Sequence, residues 1–127
     1  MLELTNPDHI PLPPEKVEIL DFKASPYPDG KRVKIILTFT PFQKNPSAEI
    51  IIKDPDNKIK SKIQIIETIE SKSEITMHLP GKQRKGEYTA HTEAFYLAEK
   101  PSDDDPETIQ GVIKDPIDQA STRFIIP

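Results

Sequence analysis

The stretch that most constrains the fold of this chain spans residues 79–94. It opens with a Pro-Gly turn, continues through a charged loop, and from Gly86 onward alternates core-type residues with polar ones. Because side chains alternate between the two faces of a strand, one face carries Tyr88, Ala90, Thr92 and Ala94. The stretch therefore predicts a strand that begins near Tyr88, directly after a turn, with the Tyr88 ring facing the core.

This arrangement resembles the tyrosine corner of immunoglobulin-like and fibronectin type III-like sandwiches. In those folds a tyrosine at the start of the sixth strand hydrogen-bonds to the backbone a few residues upstream. The resemblance implies that the Tyr88 hydroxyl bonds to backbone within Pro80–Arg84. It covers roughly residues 17–126 and concerns the fold, because this architecture hosts many unrelated functions.

The rest of the chain shows the spacing of a β-sandwich. The clearest further strand is Arg32–Thr40, in which every odd-numbered position from 33 to 39 is apolar. The pair Ile65-Ile66 breaks the alternation of its segment, which indicates a bulge or a change of sheet at that point. We predict an all-β, immunoglobulin-like Greek-key sandwich of about seven strands in two sheets, with a long insertion before the last strand.

The composition supports this class and excludes several others. Fourteen prolines and many β-branched residues argue against a helical fold. The absence of cysteine and tryptophan excludes an immunoglobulin domain in the strict sense. A net charge of −4 speaks against nucleic acid as a partner, and no apolar run is long enough for a membrane helix. The N-terminus does not resemble a signal peptide, so we expect a cytoplasmic protein, or an extracellular one if the chain was cut from a secreted precursor.

The 127 residues suit one domain preceded by an arm. We predict a proline-rich N-terminal arm over residues 1–15 and a sandwich domain over 16–127. The insertion from Ala98 to Ala120 is too long for a simple hairpin loop. Within it, Asp105–Lys114 has the pattern of a short helix whose apolar face would carry Ile109, Val112 and Ile113; a partly disordered loop is the alternative.

No pattern of catalytic residues is present. His78 and His91 are expected to point outward from opposite sheets, so they cannot share a metal ion. The acidic run Asp103–Asp105 is either a cation site or a solvated loop that caps the predicted helix. The basic loop Lys82–Lys85 is interpreted as a solvated turn, too short for more than weak contact with an acidic partner. We therefore predict no enzymatic activity, no cofactor and no metal site.

One constellation does suggest a binding surface. The alternation places Ile51, Phe95 and Ile125 on the outer face of the sheet formed by the third, sixth and seventh strands, beside His91 and Arg123. Three large apolar residues on a face that should be polar need a cover. Either the insertion folds over them, or a partner protein or a second copy does.

The function predicted from these features is a non-catalytic interaction, accessory or structural module. Its partner would be another protein or a second copy of the chain, with no nucleic acid and no membrane. The alternative is a ligand- or carbohydrate-binding module. Sugar rings usually stack on exposed tryptophan or tyrosine, and a chain with three tyrosines and no tryptophan favours protein contact over that alternative.

Overall fold

The computed structural model describes residues 10–99 and 112–127. It is an all-β sandwich in which strands account for 63% of the residues. A 3-10 turn, Pro14–Lys16, precedes the strands. The seven strands are β1 (Ile19–Pro26), β2 (Arg32–Phe39), β3 (Ser47–Lys53), β4 (Ile59–Ile65), β5 (Lys72–His78), β6 (Gly86–Glu99) and β7 (Val112–Ile126).

The strands form two antiparallel sheets with Greek-key connections, as predicted. The first sheet has the order β1-β2-β5, and the second has the order β4-β3-β6-β7. Neighbouring strands within each sheet run antiparallel. The seven-stranded constant-type immunoglobulin sandwich places its fourth strand in the first sheet. Here β4 pairs with β3 in the second sheet, because a tight turn joins the two strands as a hairpin.

That hairpin turn has the chemistry its sequence predicts. One carboxylate oxygen of Asp54 accepts hydrogen bonds from the backbone amides of Asp56 and Lys58, at 2.9 Å each. Asn57 adopts a φ of +66°, a left-handed conformation that asparagine tolerates better than most residues. Because the turn is short, β4 folds back beside β3 and pairs with it.

The core lies between the sheets and follows the predicted alternation. In β2 every second residue, from Val33 to Phe39, is buried, and the residues between them are half-exposed. Tyr88, Ala90, Thr92 and Ala94 of β6 are all fully buried on the opposing side. Period-two burial is expected where one face of an antiparallel sheet packs on the core and the other meets water.

The chain changes sheets directly after the Ile65-Ile66 pair, as one of the two sequence interpretations predicted. β4 ends at Ile65 in the second sheet, and β5 begins at Lys72 in the first. Glu67 turns the chain with a φ of +47°, and its backbone amide is held by the Ser47 hydroxyl at 2.8 Å. The break in alternation therefore marks the crossover between the sheets.

The segment before the last strand differs from its prediction. The proposed helix over Asp105–Lys114 is wrong at its end, because Val112 already begins β7 and pairs with β6; residues 105–111 lie outside the described residues. Pro116 sits where the register of β6 and β7 shifts. Proline is tolerated there because β7 is an edge strand and a bulge needs no ladder donor.

The described part of the N-terminal arm is attached to the domain. Leu12 forms an isolated parallel bridge with Phe42. The Leu12 amide donates to the Pro41 carbonyl, and the Leu12 carbonyl accepts from the Gln43 amide, both at 2.9 Å. The Leu12 side chain packs against the core, so the arm already contributes to the sandwich before the predicted boundary at residue 16.

Candidate interaction surface

The five residues predicted as an interface do occupy one sheet face. Ile51 of β3 lies directly opposite His91 of β6. On the other side of β6, Thr89 pairs with Arg123 and Glu87 pairs with Ile125 of β7. The sequence alternation therefore placed these side chains correctly on the outer face of the second sheet.

Phe95 differs from the other members of this set, because it is not exposed. Its side chain is 1% accessible to water, although it lies outside the buried core cluster between the sheets. The ammonium group of Lys114 lies over the Phe95 ring, 4.7 Å from its centroid. Sequence periodicity predicts which face of the sheet a side chain lies on. It does not predict which long side chains of neighbouring strands will cover that face, as the aliphatic part of a lysine often does. The predicted contacts of Phe95 involve Ile109, which lies outside the described residues, and the side chains of Val112 and Ile113, which also lie outside the described part of the structure.

The middle of this face is occupied by its own polar network. Glu49 accepts a hydrogen bond from the Gln64 amide at 3.0 Å, and the ammonium groups of Lys62 and Lys114 lie 3.5 and 4.0 Å from it. The Gln64 hydrogen bond and then the two lysine charges hold the pKa of Glu49 below its ordinary value. Ile51, on the same face, is half-exposed.

The accessible apolar residue of the face lies at its end. Ile125 is 62% exposed, close to the C-terminal end of β7. Arg123 is also exposed and forms a loose ion pair with Glu87 at 3.8 Å. His91 is half-buried, with its Nδ1 atom 2.6 Å from the Ser121 hydroxyl oxygen. Of the predicted interface, Ile125 and Arg123 therefore remain available to a partner.

Ile125 borders a cleft at one pole of the sandwich, where β1, β5 and β7 end. The cleft has a volume of about 590 Å³ and lies between the β1–β2 turn, the β5–β6 loop and the end of the chain. Its lining residues are Pro26, Tyr27, Pro28, Asp29, Gly30, Lys31, Gly81, Lys82, Gln83, Lys85, Ile125, Ile126 and Pro127. We call this feature the pole cleft.

The tyrosine corner supports one wall of the pole cleft, and its prediction is confirmed. Tyr88 is fully buried, and its hydroxyl donates to the Arg84 carbonyl at 2.8 Å and accepts from the Arg84 amide at 3.1 Å. The ring stacks on Phe124, with 5.4 Å between centroids. Arg84 also forms an ion pair with Asp56 of the β3–β4 turn. These contacts join the β5–β6 loop to the body of the domain.

The β1–β2 turn forms the opposite wall of the cleft, and hydrogen bonds fix this turn as well. The Leu79 amide donates to the Lys31 carbonyl at 2.8 Å, which connects the β1–β2 turn to the β5–β6 loop. Gly30 turns the chain with a φ of +67°, a conformation that glycine adopts at little cost. Asp29 closes the turn by accepting from the Lys31 amide at 2.8 Å. The pole cleft is therefore formed by constrained turns.

The charge at the cleft is unbalanced. Asp29 is neutralised locally, because it accepts hydrogen bonds from the Lys31 amide and from the Arg32 guanidinium at 3.1 Å. The Lys31 amide bond, followed by the Arg32 guanidinium, holds the pKa of Asp29 below its ordinary value. Within the described residues, no ion pair is made by Lys31, Lys82 or Lys85. The cleft is thus lined by three lysines without a described ion pair, together with apolar residues that include Ile125 and Ile126.

Sequence reasoning missed this site. It identified the Lys82–Lys85 loop and Ile125 separately, and it assigned the loop to solvent. The lysine that completes the cluster, Lys31, is distant in sequence and approaches only because β2 and β5 are neighbours in the first sheet. The sequence does place all these residues at the ends of predicted strands. The directions of the strands then bring those ends to the same pole of the sandwich.

The described residues offer no arrangement for metal chemistry. His78 lies on β5 of the first sheet and His91 on β6 of the second, the predicted placement on opposite sheets. Among residues 10–99 and 112–127, no three histidine, aspartate or glutamate side chains are grouped to hold an ion. The acidic run Asp103–Asp105 lies outside these residues. In the same part of the chain, no helix has the length and apolarity needed to cross a membrane.

Comparison with known proteins supports the fold and adds no family. No protein-family model matches the chain, and no curated protein matches it. Among solved structures, it is similar to a Bifidobacterium dentium β-glucuronidase complexed with coumarin-3-O-glucuronide, with a TM-score of 0.50 and 18% sequence identity. The match covers 89% of this chain and 19% of that chain. At this identity the likeness concerns the fold: the chain is an all-β sandwich of two antiparallel sheets, and it spans about a fifth of the enzyme's length.

Proposed function

We propose that this chain is a non-catalytic protein-interaction module that binds its partner at the pole cleft and the adjoining Ile125. The observation that carries the proposal is the combination of three lysines without acidic partners in the described residues, an apolar floor and an exposed isoleucine at the rim. Protein interfaces typically place an apolar anchor at the centre of a patch and polar groups around it. The pole cleft has this arrangement.

The proposal includes membership of the immunoglobulin-like and fibronectin type III-like superfamily. Two features support it. The strand order unites β3, β6 and β7 in one sheet and β1, β2 and β5 in the other. Tyr88 also stands near the start of the sixth strand and bonds back to Arg84. Domains of this class present loops at the two ends of the sandwich, and those loops often carry the binding function.

The constrained walls of the cleft favour binding. A loop that is already fixed loses little conformational entropy when a partner docks, so more of the contact free energy appears as affinity. Hydrogen bonds tie both walls of the cleft to strands. One wall is held by the backbone bond from Leu79 to Lys31, and the other by the Tyr88 hydroxyl on the backbone of Arg84. The lysines at the rim would accelerate association with an acidic partner at low ionic strength.

A carbohydrate-binding module is the second candidate. It is favoured by the presence of Tyr27 in the cleft and by the structural likeness to a glycoside-hydrolysing enzyme. However, the Arg32 guanidinium covers one face of the Tyr27 ring at 4.3 Å, and the hydroxyl is 3.4 Å from that of Thr76. A ring engaged in this way has only one face left for a sugar. Protein contact therefore remains the preferred function.

Site-specific photo-crosslinking tests the proposal. A benzophenone amino acid is placed at Ile125, and in a matched control at Lys23, an exposed position on β1 in the first sheet. In extracts of the cells that make the protein, we expect a discrete protein adduct from position 125 and none from position 23. Calorimetric titration with glucuronides and oligosaccharides tests the second candidate. Sugar binding lost in Tyr27→Ala, without a crosslink at 125, would replace the proposed function by the carbohydrate one.

A further inference from the structure

The crossover between the two sheets carries the most exposed apolar side chain of the described residues. In the loop from Ile66 to Glu70, Ile69 is 82% exposed and Ile66 is 54% exposed. Glu67 and Glu70 flank Ile69 and are also exposed. Single exposed aliphatic residues are common, but two in one short loop that also carries two carboxylates form a distinct acidic and apolar protrusion. We call it the crossover loop.

The crossover loop is held in place by the body of the domain. The Glu67 amide donates to the Ser47 hydroxyl at 2.8 Å, and the Thr68 amide donates to the Pro46 carbonyl at 2.9 Å. The Thr68 hydroxyl in turn donates to the Glu70 carbonyl at 3.2 Å. Within the described residues, neither glutamate forms an ion pair. The loop is therefore a preformed shape whose charges have no described partner.

The crossover loop and the pole cleft are complementary. The loop offers an isoleucine between two carboxylates, and the cleft offers an apolar floor that includes Ile126 among three ammonium groups. They lie at opposite ends of β5, since the loop precedes Lys72 and the β5–β6 loop follows His78. Seven extended residues span roughly 20 Å, so the loop cannot reach the cleft of its own chain.

We propose that the pole cleft binds the crossover loop of a second copy of this chain. Ile69 enters the cleft, and Glu67 and Glu70 face Lys31, Lys82 and Lys85. The inference rests on the proposed function, because it names the partner of the same cleft. Such a contact joins unlike surfaces, so each pair of copies keeps one free loop and one free cleft, and association continues head to tail. A contact of one loop in one cleft is small, so it is a weak, salt-sensitive association.

Charge-reversal variants test this inference by sedimentation velocity. The loop variant is Glu67→Lys with Glu70→Lys, and the cleft variant is Lys82→Glu with Lys85→Glu. We expect the wild-type sedimentation coefficient to rise between about 10 μM and about 1 mM at low salt, the range of weak interfaces. Each variant alone should weaken association by about tenfold or more, because like charges then meet. An equimolar mixture should restore it, since each variant's loop then matches the other variant's cleft.

Two controls separate the cleft contact from general effects. Lys23→Glu with Lys34→Glu changes the net charge as the cleft variant does, but on the first sheet away from both the loop and the cleft, and should leave association unchanged. Ile69→Ser should abolish association, whereas Leu20→Ser, at an exposed position on β1, should retain it. Circular dichroism and thermal melting confirm that each variant is folded.

The outcomes distinguish this inference from the proposed function. A wild-type chain that stays monomeric to about 1 mM, or a variant mixture that fails to associate, overturns binding to a second copy. If the crosslink from position 125 then still captures a different protein, the proposed function stands without it. If neither association nor a crosslink is found, both proposals fail.

Discussion

Replacing Tyr88 by phenylalanine removes one oxygen atom from the tyrosine corner and keeps the ring that stacks on Phe124. The lost hydroxyl donates to the Arg84 carbonyl and accepts from the Arg84 amide, so two backbone groups lose their partner. One hydrogen bond contributes about 1 kcal/mol net, and a buried group left unpaired costs about 1–3 kcal/mol. Because the Arg84 side chain is exposed, water reaches part of this loop, and we expect a total loss of about 1–3 kcal/mol. For a chain of this size, that corresponds to roughly 3–10 °C in melting temperature.

The matched control is Tyr27→Phe, which deletes the same atom from a half-buried tyrosine whose hydroxyl is 3.4 Å from that of Thr76. It should change the free energy of unfolding by less than about 0.5 kcal/mol. Urea denaturation measures both variants, and equal slopes show that they differ in stability rather than in the surface exposed on unfolding. If Tyr88→Phe proves as stable as Tyr27→Phe, then the corner does not stabilise the domain, and the assigned role of Tyr88 is refuted.

Three further perturbations have definite expected results. Glu49→Gln should lower the free energy of unfolding at neutral pH, because the pKa of Glu49 is lowered in the folded protein and its ionised form is stabilised there. The difference from wild type should shrink as pH falls below about 4.3, where the carboxylate becomes protonated. Urea denaturation at several pH values measures both effects. Asp118→Ala should cost about 1–2 kcal/mol in urea denaturation, because its carboxylate accepts the Ile19 amide at 2.9 Å between the two sheets, whereas Asp118→Asn keeps an acceptor and should cost less. Gly86→Ala should lower the melting temperature more than Gly81→Ala, although both glycines have a positive φ. At Gly86, where φ is +134°, the added Cβ would lie 3.0 Å from the side chain of Pro55 in the β3–β4 turn, whereas at Gly81 no atom lies within 4 Å. Equal melting temperatures of the two variants would contradict this.

The strands that pack on both sides of the core were predictable because their pattern is local. Alternation along β2 and β6 determines which side chains face inward, and burial of one sheet face then fixes the register. The tyrosine corner was predictable for the same reason, since Tyr88 and Arg84 are only four residues apart. The end of β4 was indicated by the Ile65-Ile66 pair, where two adjacent apolar residues cannot both face one core.

Other features depended on groups that are distant in sequence. The N-terminal half of β7 carries the helix-compatible pattern of Val112 and Ile113, and its pairing with β6 overrode that local preference, as tertiary context often does. Phe95 was assigned to the correct face but is buried, because the Lys114 side chain crosses its ring from the neighbouring strand.

The sequence by itself determined the class of fold, the alternation of its main strands and the face on which each predicted interface residue lies. Those properties follow from side-chain periodicity and from turn residues, which act over a few positions along the chain. Only the tertiary structure brought Lys31 to the Lys82–Lys85 loop, beside Ile125, at one pole, and sent the crossover loop to the other. The directions and neighbours of strands decide such clusters, and no local pattern encodes which strand ends will meet.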